Sequence, residues 1–426
     1  MKFIYADSLD VVDPTFDFIK DNYTPNRTPY WDDHFTHEMF NKNPYDGVLV
    51  SRATVGEGSG DRSKYSAGQS LRFTREGARK FLRLNEVRFK DLWIFGDNGA
   101  FSYAKDEYPP FSVQSTVDFY EESGFTHGCS VDHIVFQFGK HEEGSPESKR
   151  RFELTLSLAS EFLKIHKASK ANFIPIGVVQ GWSPESLKDA TKQLLKMGYR
   201  YLAIGGLVPL RIPEIKLAVQ SVSEALNGYS DGQIHLLGFA KTDYISELAK
   251  YKVVSFDSAS PMVQSFKDSS NNYWFNPAST ELTKYCAIRV PQATENLALV
   301  RAAKSGLLNQ ERLIAAEKSA LSALRSVDRS KTMDLDPIIR EVLEYSTLLF
   351  IAAGNSESLI QRKIEKLQTL YAKTLKDQPW NICECDICSA IGIEAIIFRG
   401  SNRNKRRGMH NIKVLHSITK KLRENY

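Results

Sequence analysis

The stretch VVSFDSASP, from Val253 to Pro261, decides how the rest of the chain is interpreted. Its first four residues are an apolar run that predicts the end of a buried strand, and the small residues and proline after Asp257 predict that the strand stops there. A carboxylate at this position could face a ligand, or it could cap a strand-to-loop turn. Taken alone, the capping role is the better interpretation, so the choice depends on what ends the other predicted strands.

Seven further short apolar segments precede this one, and helical segments separate most of them. The eight segments are KFIYA (2–6), GVLVS (47–51), LWIFG (92–96), CSVDHIVF (129–136), FIPIGVVQ (173–180), YLAIGG (201–206), IHLLGF (234–239) and VVSF (253–256). Near-continuous apolar strands are buried on both faces, which is typical of a parallel sheet covered by helices. Eight such units in this order predict an α/β fold of the (β/α)8 TIM-barrel type. A doubly wound open sheet is the alternative.

The pattern changes after the eighth segment. Residues 262–290 are polar and predict loops, whereas residues 294–375 have the apolar spacing of several helices. We therefore expect three segments, which are a (β/α)8 barrel over 1–262, a mainly helical insertion over 263–380, and a zinc-binding module with a closing helix over 381–426. Four apolar residues of that closing helix fall on one face, namely Ile412, Leu415, Ile418 and Leu422.

Composition restricts the class of protein. The chain has 426 residues, of which 42% are hydrophobic and 25% charged, and these values fit a globular protein. A net charge of +5 is compatible with a polyanionic partner. No apolar run approaches the roughly 20 residues that cross a bilayer, and the N-terminus shows no secretory signal. We expect a cytoplasmic protein without a disulfide framework, in which the isolated Cys129 and Cys286 are simply packed.

The other three cysteines form a cluster near the end of the chain. Cys383, Cys385 and Cys388 lie within six residues, and His410 follows 22 residues later. Three thiolates and one imidazole would make a closed tetrahedral site, which is the structural type of zinc site. His416 is the alternative fourth ligand, and a group of buried or reactive cysteines is the alternative for the whole cluster.

Polar residues or glycines also lie in, or directly after, four of the other predicted strands. Asp97-Asn98-Gly99 follows the third strand, Asp132 lies in the fourth, Gln180 ends the fifth, and Gly205-Gly206-Leu207 ends the sixth. In a TIM barrel the C-terminal ends of all strands meet on one face, so these residues and Asp257 would converge there. Each one alone could be a turn, a bulge or a surface amide, but convergence from five strands favours a common site.

This set of residues has a definite chemistry. Two carboxylates on either side of a glycosidic carbon can perform a double displacement. Asp257 would attack the sugar carbon, and Asp97 would handle the proton of the leaving base. Asp132 would accept hydrogen bonds from N–H groups, while Gln180 and the Gly206 amide would donate to a carbonyl. Together they are the hydrogen-bonding complement of the Watson–Crick side of guanine.

These residues occur in motifs that resemble the tRNA-guanine transglycosylases, a family of zinc-containing (β/α)8 enzymes. The matching segments, in family order, are GDNGAF (96–101), SVDH (130–133), GVVQG (177–181), AIGGL (203–207), SFDSASP (255–261), CECDIC (383–388) and the pair His410-Asn411. The resemblance implies that Asp257 is the nucleophile and that Asp97 is the general acid/base. The implied base-binding residues are Asp132, Gln180 and Gly206, to which we add Leu207 and Asn98, and the implied zinc ligands are Cys383, Cys385, Cys388 and His410.

The chain also departs from the family pattern. Pro261 is followed by Met262 instead of Thr-Arg, Asn98 and Ala100 replace Ser and Gly, and a helical insertion of more than a hundred residues precedes the cysteine cluster. With these departures the chain is most similar to the DNA-modifying branch, the 7-deazaguanine transglycosylases. That resemblance implies exchange of guanine in DNA for 7-cyano-7-deazaguanine within a DNA-modification and restriction system. It also implies partner proteins from the same gene cluster, including an ATPase.

The basic stretch SNRNKRRG (401–408) is a candidate contact for DNA phosphates. The side chains that would make these contacts are Arg403, Lys405, Arg406 and Arg407. A solvated basic loop is the alternative. Two other functions stay open at this point: a transglycosylase that acts on tRNA, and a non-catalytic subunit that docks nucleic acid.

Overall fold

The computed structural model describes residues 1–56, 63–139, 143–239, 241–276, 282–327 and 334–424. The chain divides into two compact units. The first, which we call the barrel unit, contains Met1–Leu9, Tyr45–Ser260 and Leu415–Tyr426. The second, the helical unit, contains Asp10–Pro44 and Pro261–Val414.

Eight parallel strands form a closed barrel in the barrel unit and follow one another around the ring in chain order. They are β1 (Lys2–Ala6), β2 (Gly47–Ser51), β3 (Trp93–Asp97), β4 (His127–Cys129), β5 (Ile174–Val179), β6 (Tyr201–Ile204), β7 (Gln233–Leu236) and β8 (Val253–Ser258). Each predicted segment overlaps one of these strands, and β8 pairs with β1 to close the ring. The TIM barrel is therefore confirmed, and the open sheet is excluded.

Inward-facing side chains fill the barrel. A buried cluster takes residues from six of the strands, namely Ile4, Leu49, Phe95, Cys129, Ile176, Val178, Tyr201 and Ala203. Parallel strands that pack an interior on one side and helices on the other need apolar residues at nearly every position, which is the pattern that the sequence shows. The isolated Cys129 belongs to this packing, as predicted.

The fourth strand is shifted relative to its predicted position. β4 ends at Cys129, whereas residues 130–137 have no regular secondary structure. The Ser130 N–H still donates to the Ile176 carbonyl of β5, but other backbone groups around this segment bond to the side chains of Asn98, Thr155 and Gln180. The apolar run therefore reflects burial without strand pairing, and the placement of a strand over 129–136 is wrong.

Helices connect the strands of the barrel. They are α1 (Arg52–Val55), α2 (Ala67–Glu76), α3 (Ala78–Phe81), α4 (Val113–Glu122), α5 (Pro146–Ser169), α6 (Pro184–Met197), α7 (Ile212–Ala225) and α8 (Ile245–Leu248), with 3-10 turns at Val87–Phe89 and Thr242–Tyr244. Helix α6 shows how the sequence sets their ends. The Ser183 hydroxyl accepts from the Ser186 N–H, Pro184 occupies the first turn, and Gly198 adopts a left-handed conformation at the C-terminus.

The helical unit contains seven further helices and two small sheets among its described residues. The helices are α9 (Ser260–Lys267), α10 (Leu297–Lys304), α11 (Gln310–Val327), α12 (Asp336–Ala352), α13 (Glu357–Asp377), α14 (Pro379–Ile382) and α15 (Asp386–Ile391). Antiparallel β9 (Tyr273–Phe275) and β10 (Thr283–Tyr285) form one sheet, and parallel β11 (Ile288–Arg289) and β12 (Ile397–Phe398) the other. Two 3-10 turns, Thr36–Met39 and Gly392–Ile396, also lie in this unit. The last helix, α16 (Gly400–Glu424), begins here and ends in the barrel unit.

Helices α10 to α13 confirm the predicted helical character of residues 294–375. The prediction of loops over 262–290 is wrong, because this segment contains α9, β9, β10 and β11. Its aromatic residues Tyr273 and Trp274 are fully buried, so it supplies core despite its polar composition. The part of this segment at 277–281 lies outside the described residues. No described helix is both long enough and apolar enough to cross a membrane.

One hydrophobic core runs through the helical unit. Leu324 of α11 and Tyr345 of α12 share it with Cys388 and Ile396 near the cysteine cluster, and the isolated Cys286 is buried in it as predicted. Residues of the expected insertion (263–380) and of the expected zinc module therefore stabilise each other by packing in the same core.

The basic stretch 401–408 lies within α16 and not in a loop. Its three arginines, Arg403, Arg406 and Arg407, are at most 2% exposed. Arg403 forms ion pairs with Asp21 and Glu394, and the other two guanidinium groups donate to backbone carbonyls. The half-buried Lys405 donates to the Val11 carbonyl at 3.1 Å. Phosphate contacts by the three arginines are therefore excluded, because these donors are buried and used within the fold.

Arg403→Ala should lower the free energy of unfolding by about 3 kcal/mol, because Asp21 and Glu394 would each lose a buried partner. Urea denaturation followed by tryptophan fluorescence measures this, since Trp274 and Trp380 are buried in the same unit. Arg75→Ala is the matched control: its side chain is 78% exposed, and we expect a change below about 0.5 kcal/mol. Equal effects of the two substitutions would contradict this account.

Candidate active site and metal centre

Three carboxylates lie at the C-terminal ends of barrel strands, on the face where TIM barrels place their sites. Asp97 is the last residue of β3, Asp132 follows β4 by three residues, and Asp257 is the penultimate residue of β8. They are close enough to interact electrostatically, because the charge of Asp257 raises the pKa of Asp97 and the charge of Asp97 raises the pKa of Asp132. The predicted convergence of these residues is therefore observed in the structure.

Asp97 is half-buried and held by its own turn. Its Oδ2 accepts from the Gly99 N–H at 2.9 Å, and the Ser51 hydroxyl also bonds to its carboxylate. Burial, with the charge of Asp257, raises the pKa of Asp97 to about 6, and the hydrogen bonds oppose that rise. A carboxyl group with this pKa can both give and take a proton near neutral pH, which is what a general acid/base must do.

Sequence reasoning missed Ser51, which ends β2 and pairs in register with Asp97. The register of two parallel strands is the signal that could have found it. The same contact explains Gly99, whose φ is +79° and where an added Cβ would lie 2.4 Å from the Ser51 Oγ. A side chain at position 99 would push Ser51 away from the carboxylate.

Gln180 holds Asp132 in place. Its Nε2 donates to Asp132 Oδ2 at 2.7 Å, and its Oε1 accepts from the Val135 N–H at 3.1 Å. The second bond fixes which end of the amide is nitrogen and leaves one Nε2 hydrogen for a ligand. Burial, with the charge of Asp97, raises the pKa of Asp132 to about 7, whereas the Gln180 bond lowers it.

Two glycines after β6 make room for this amide. A Cβ at Gly205 would lie 2.2 Å from Gln180 Nε2, and a Cβ at Gly206 would lie 2.9 Å from the Val135 carbonyl oxygen. Gly206 also has a φ of +74°, a backbone conformation that residues with a side chain rarely adopt. The neighbouring Leu207 is 2% exposed.

Asn98 ties two parts of the site together. It is fully buried, and its Nδ2 donates to the carbonyls of Cys129 and Ser130 at 3.2 and 3.1 Å. These bonds connect the end of β3 to the segment that carries Asp132. Its Oδ1 has no hydrogen-bond partner among the described residues. The contacts of Asn98 are thus with the protein backbone, and its predicted contact with a base stays a prediction.

Asp257 is 5% exposed and is held through one oxygen. Its Oδ1 accepts from the Gly238 N–H at 2.9 Å and from His235 Nε2 at 3.1 Å. Sequence reasoning missed His235, although one histidine within the apolar segment IHLLGF was a visible signal. Asp257 is thus a carboxylate in a fixed position, and Asp97 close to it has a pKa that lets it give or take a proton. This arrangement suits nucleophilic displacement at a sugar carbon.

The four predicted metal ligands come together in the helical unit. The ligand atoms of Cys383, Cys385, Cys388 and His410 all lie within 4.8 Å of one another. The three sulfurs are 3.3–3.6 Å from His410 Nδ1. A tetrahedral ion with zinc's usual bond lengths would place sulfur and nitrogen about 3.5 Å apart. The cluster can therefore hold a metal ion.

The surroundings of His410 fix its orientation. Its Nε2 donates to the Trp274 carbonyl at 2.6 Å and its ring stacks on Tyr273, which points Nδ1 at the sulfurs. Asn411 bonds to the same strand, because its Oδ1 accepts from the Trp274 N–H. His416 instead lies 3.5 Å from Asp46, so His410 and not His416 belongs to the cluster.

No family model matches the chain. A curated protein of Salmonella montevideo, described as a DNA-guanine transglycosylase, is 40% identical to it over 422 residues. The alignment covers 98% of this chain and 96% of that protein. The alignment therefore spans nearly the whole of both units. The chain therefore belongs to the DNA-guanine transglycosylase family and is a guanine transglycosylase.

Proposed function

We propose that this enzyme exchanges guanine in DNA for 7-cyano-7-deazaguanine through a covalent bond between Asp257 and the sugar. The observation that supports the proposal is that Asp257, a carboxylate held in a fixed position, lies near Asp97, a carboxyl group that can give or take a proton. Asp257 is held through Oδ1, and Asp97 beside it has a pKa of about 6. The description of the Salmonella relative supports DNA as the substrate.

The first half of the reaction removes guanine. The target nucleotide must leave the base stack, because its sugar carbon cannot be reached within a duplex. Asp257 then attacks C1′ of the sugar, the bond from C1′ to the base breaks, and its electron pair goes to guanine. Asp97 donates the proton that neutralises the leaving base.

The second half inserts the new base. The incoming 7-deazaguanine gives a proton to Asp97, which is now ionised, and its ring nitrogen attacks C1′. The bond to Asp257 breaks with its electron pair returning to the carboxylate. Two inversions at C1′ retain the sugar's configuration, and the exchange itself consumes no ATP.

The base is recognised by the residues around Asp132. The ionised carboxylate accepts from the N–H groups of a guanine-like base, and the remaining Nε2 hydrogen of Gln180 donates to its carbonyl. The Gly206 amide adds a second donor, while Leu207 and Asn98 shape the pocket. Because guanine and 7-cyano-7-deazaguanine share this edge, one pocket serves both halves of the reaction.

The metal ion we propose for the cysteine cluster is zinc in a structural role. Three sulfurs and one imidazole fill a tetrahedral shell and leave no position for a reacting group. Zinc would link the segment Cys383–Cys388 to α16 and so stabilise the helical unit. Reduced thiols of this kind support a cytoplasmic location. The ATPase partner implied by the family resemblance stays a prediction.

The central test is to trap the covalent intermediate. Enzyme incubated with DNA and no incoming base should form an adduct that survives denaturation, and 7-cyano-7-deazaguanine should then release it. Asp257→Ala should form no adduct, whereas Asp231→Ala, whose side chain is 64% exposed, should react like the wild type. Gel analysis under denaturing conditions measures both outcomes.

The same experiment separates substrates when DNA and tRNA are offered side by side with labelled base. We expect label in DNA only. Label in tRNA alone would reject the proposed substrate, and an adduct from Asp257→Ala equal to that of the wild type would reject the nucleophile.

Base binding should weaken as the pH falls. The ionised form of Asp132 accepts through both oxygens, whereas protonation turns one oxygen into a donor that would oppose the N–H groups of the base. The raised pKa of about 7 means that Asp132 is mostly protonated below that pH. The KM for the incoming base should therefore rise about 30-fold between pH 8 and pH 5.5. Asp132→Asn should show a high KM that no longer changes with pH. A wild-type KM that is constant over this range would contradict the role of Asp132.

The metal proposal predicts about one zinc per chain by elemental analysis. Cys385→Ser should lose most of it and lower the Tm of the helical unit, because metal binding is coupled to folding. Cys286→Ser is the matched control, since Cys286 is buried in the same unit but outside the cluster. Equal zinc in both variants would show that the cluster does not bind it.

A further inference from the structure

The residue that holds Asp257 is itself held by a chain of hydrogen bonds through the barrel interior. His235 in β7 is fully buried, and its ring stacks on Phe95 with centroids 4.3 Å apart. Its Nδ1 lies 2.6 Å from the Ser255 hydroxyl, which in turn bonds to the Tyr201 hydroxyl. Its Nε2 lies 3.1 Å from Asp257 Oδ1. The ring is therefore fixed by stacking and by bonds at both nitrogens.

This chain determines where the histidine hydrogen lies. Ser255 has one hydroxyl hydrogen and two neighbours, so it donates to one of them and accepts from the other. If Ser255 donates to Nδ1, the imidazole hydrogen must be on Nε2. If Nδ1 donates to Ser255, a neutral ring has no hydrogen on Nε2, and two acceptors would then face each other at Asp257. A carboxylate has no hydrogen to donate, so the 3.1 Å contact with Oδ1 needs an Nε2–H, which a neutral ring supplies when Ser255 donates to Nδ1.

We propose that His235 is a positioning residue that selects Oδ2 of Asp257 as the attacking atom. Among the described residues, both side-chain hydrogen bonds of Asp257 go to Oδ1, one from His235 and one from the Gly238 N–H. An oxygen that accepts two hydrogen bonds is a weaker nucleophile than its partner. The inference rests on the proposed function, since it concerns how the proposed nucleophile reacts.

The proposal also accounts for the whole reaction cycle. When Oδ2 forms its bond to C1′ and the bond from C1′ to the base breaks, Oδ1 becomes the carbonyl oxygen of the ester. It can keep both hydrogen bonds in that state. When the incoming base displaces the sugar, negative charge returns to the carboxylate, and the same two donors stabilise it as a leaving group. His235 thus assists both steps without exchanging a proton with the substrate.

Two substitutions at one position separate this role from packing alone. His235→Leu removes the donor, whereas His235→Gln places a side-chain N–H near the position of Nε2. Adduct formation and adduct breakdown should both slow about 100-fold in His235→Leu, with KM for DNA and for the base changed by less than about 2-fold. His235→Gln should restore both rates to within about 5-fold of the wild type. Single-turnover kinetics measure the two rates separately.

The controls make each outcome decisive. His166→Leu removes a half-buried histidine outside the site, whose ring bonds among the described residues to the Phe173 carbonyl, and it should leave both rates unchanged. If His235→Leu does not fold, Ser255→Ala takes its place, because it frees Nδ1 and should slow both rates about 10-fold. Equal rates in the Gln and Leu variants, wild-type rates in His235→Leu, or wild-type rates in Ser255→Ala would each overturn the proposal.

The result is distinguishable from failure of the proposed function. If Asp257→Ala forms the adduct, the nucleophile is wrong and the role of His235 falls with it. If Asp257→Ala forms none and His235→Leu reacts at the wild-type rate, the proposed function stands and only the positioning role is overturned.

Discussion

Electrostatic repulsion among carboxylates at one end of a closed barrel is the constraint on which the site depends. Burial and neighbouring negative charge favour the protonated forms of Asp97 and Asp132, with pKa values of about 6 and 7. Asp257 instead accepts two hydrogen bonds at one oxygen. Three chemically identical side chains thus acquire different environments, which the proposed roles of acid, base-binding group and nucleophile require.

In the helical unit, buried carboxylates form ion pairs with arginines instead of being protonated. Its acids are neutralised by arginines that reach them from α11 and from the segment around α16, as in the pairs Arg325–Glu394 and Arg403–Glu394. The thiol groups and His410 are collected at one point that suits a metal ion. Packing and ion pairs therefore stabilise one core, which explains how a segment with a polar composition forms a compact unit.

Much of the fold could be predicted from the sequence because its signals were local. Each barrel strand is a short apolar run, and the order of those runs limited the topology to a barrel or an open sheet. The acids could be placed because strand ends converge in a barrel, and the cysteine spacing identified three residues of the cluster that can hold a metal ion. His410 was favoured over His416 by its position at the start of a helix, although that helix begins ten residues earlier, at Gly400.

The remaining features depend on contacts between distant residues, which a single sequence does not show. The basic residues of 401–408 suggested a surface loop, but Asp21, nearly four hundred residues away in the chain, pairs with Arg403 inside the fold. Strand register places Ser51 beside Asp97. A buried chain of hydrogen bonds places His235 against Asp257. The segment after β4 resembled a strand because burial alone produces an apolar run.

The glycine pair after β6 has an evolutionary consequence. Even a methyl group at Gly205 would lie 2.2 Å from the Gln180 amide and force it off Asp132. Descendants of this enzyme that keep the bond between Gln180 and Asp132 must therefore keep both glycines, or replace Gln180 and its neighbours together. Sequence change at this point of the site is confined to coordinated substitutions, whereas exposed positions on the outside of the barrel can change one residue at a time.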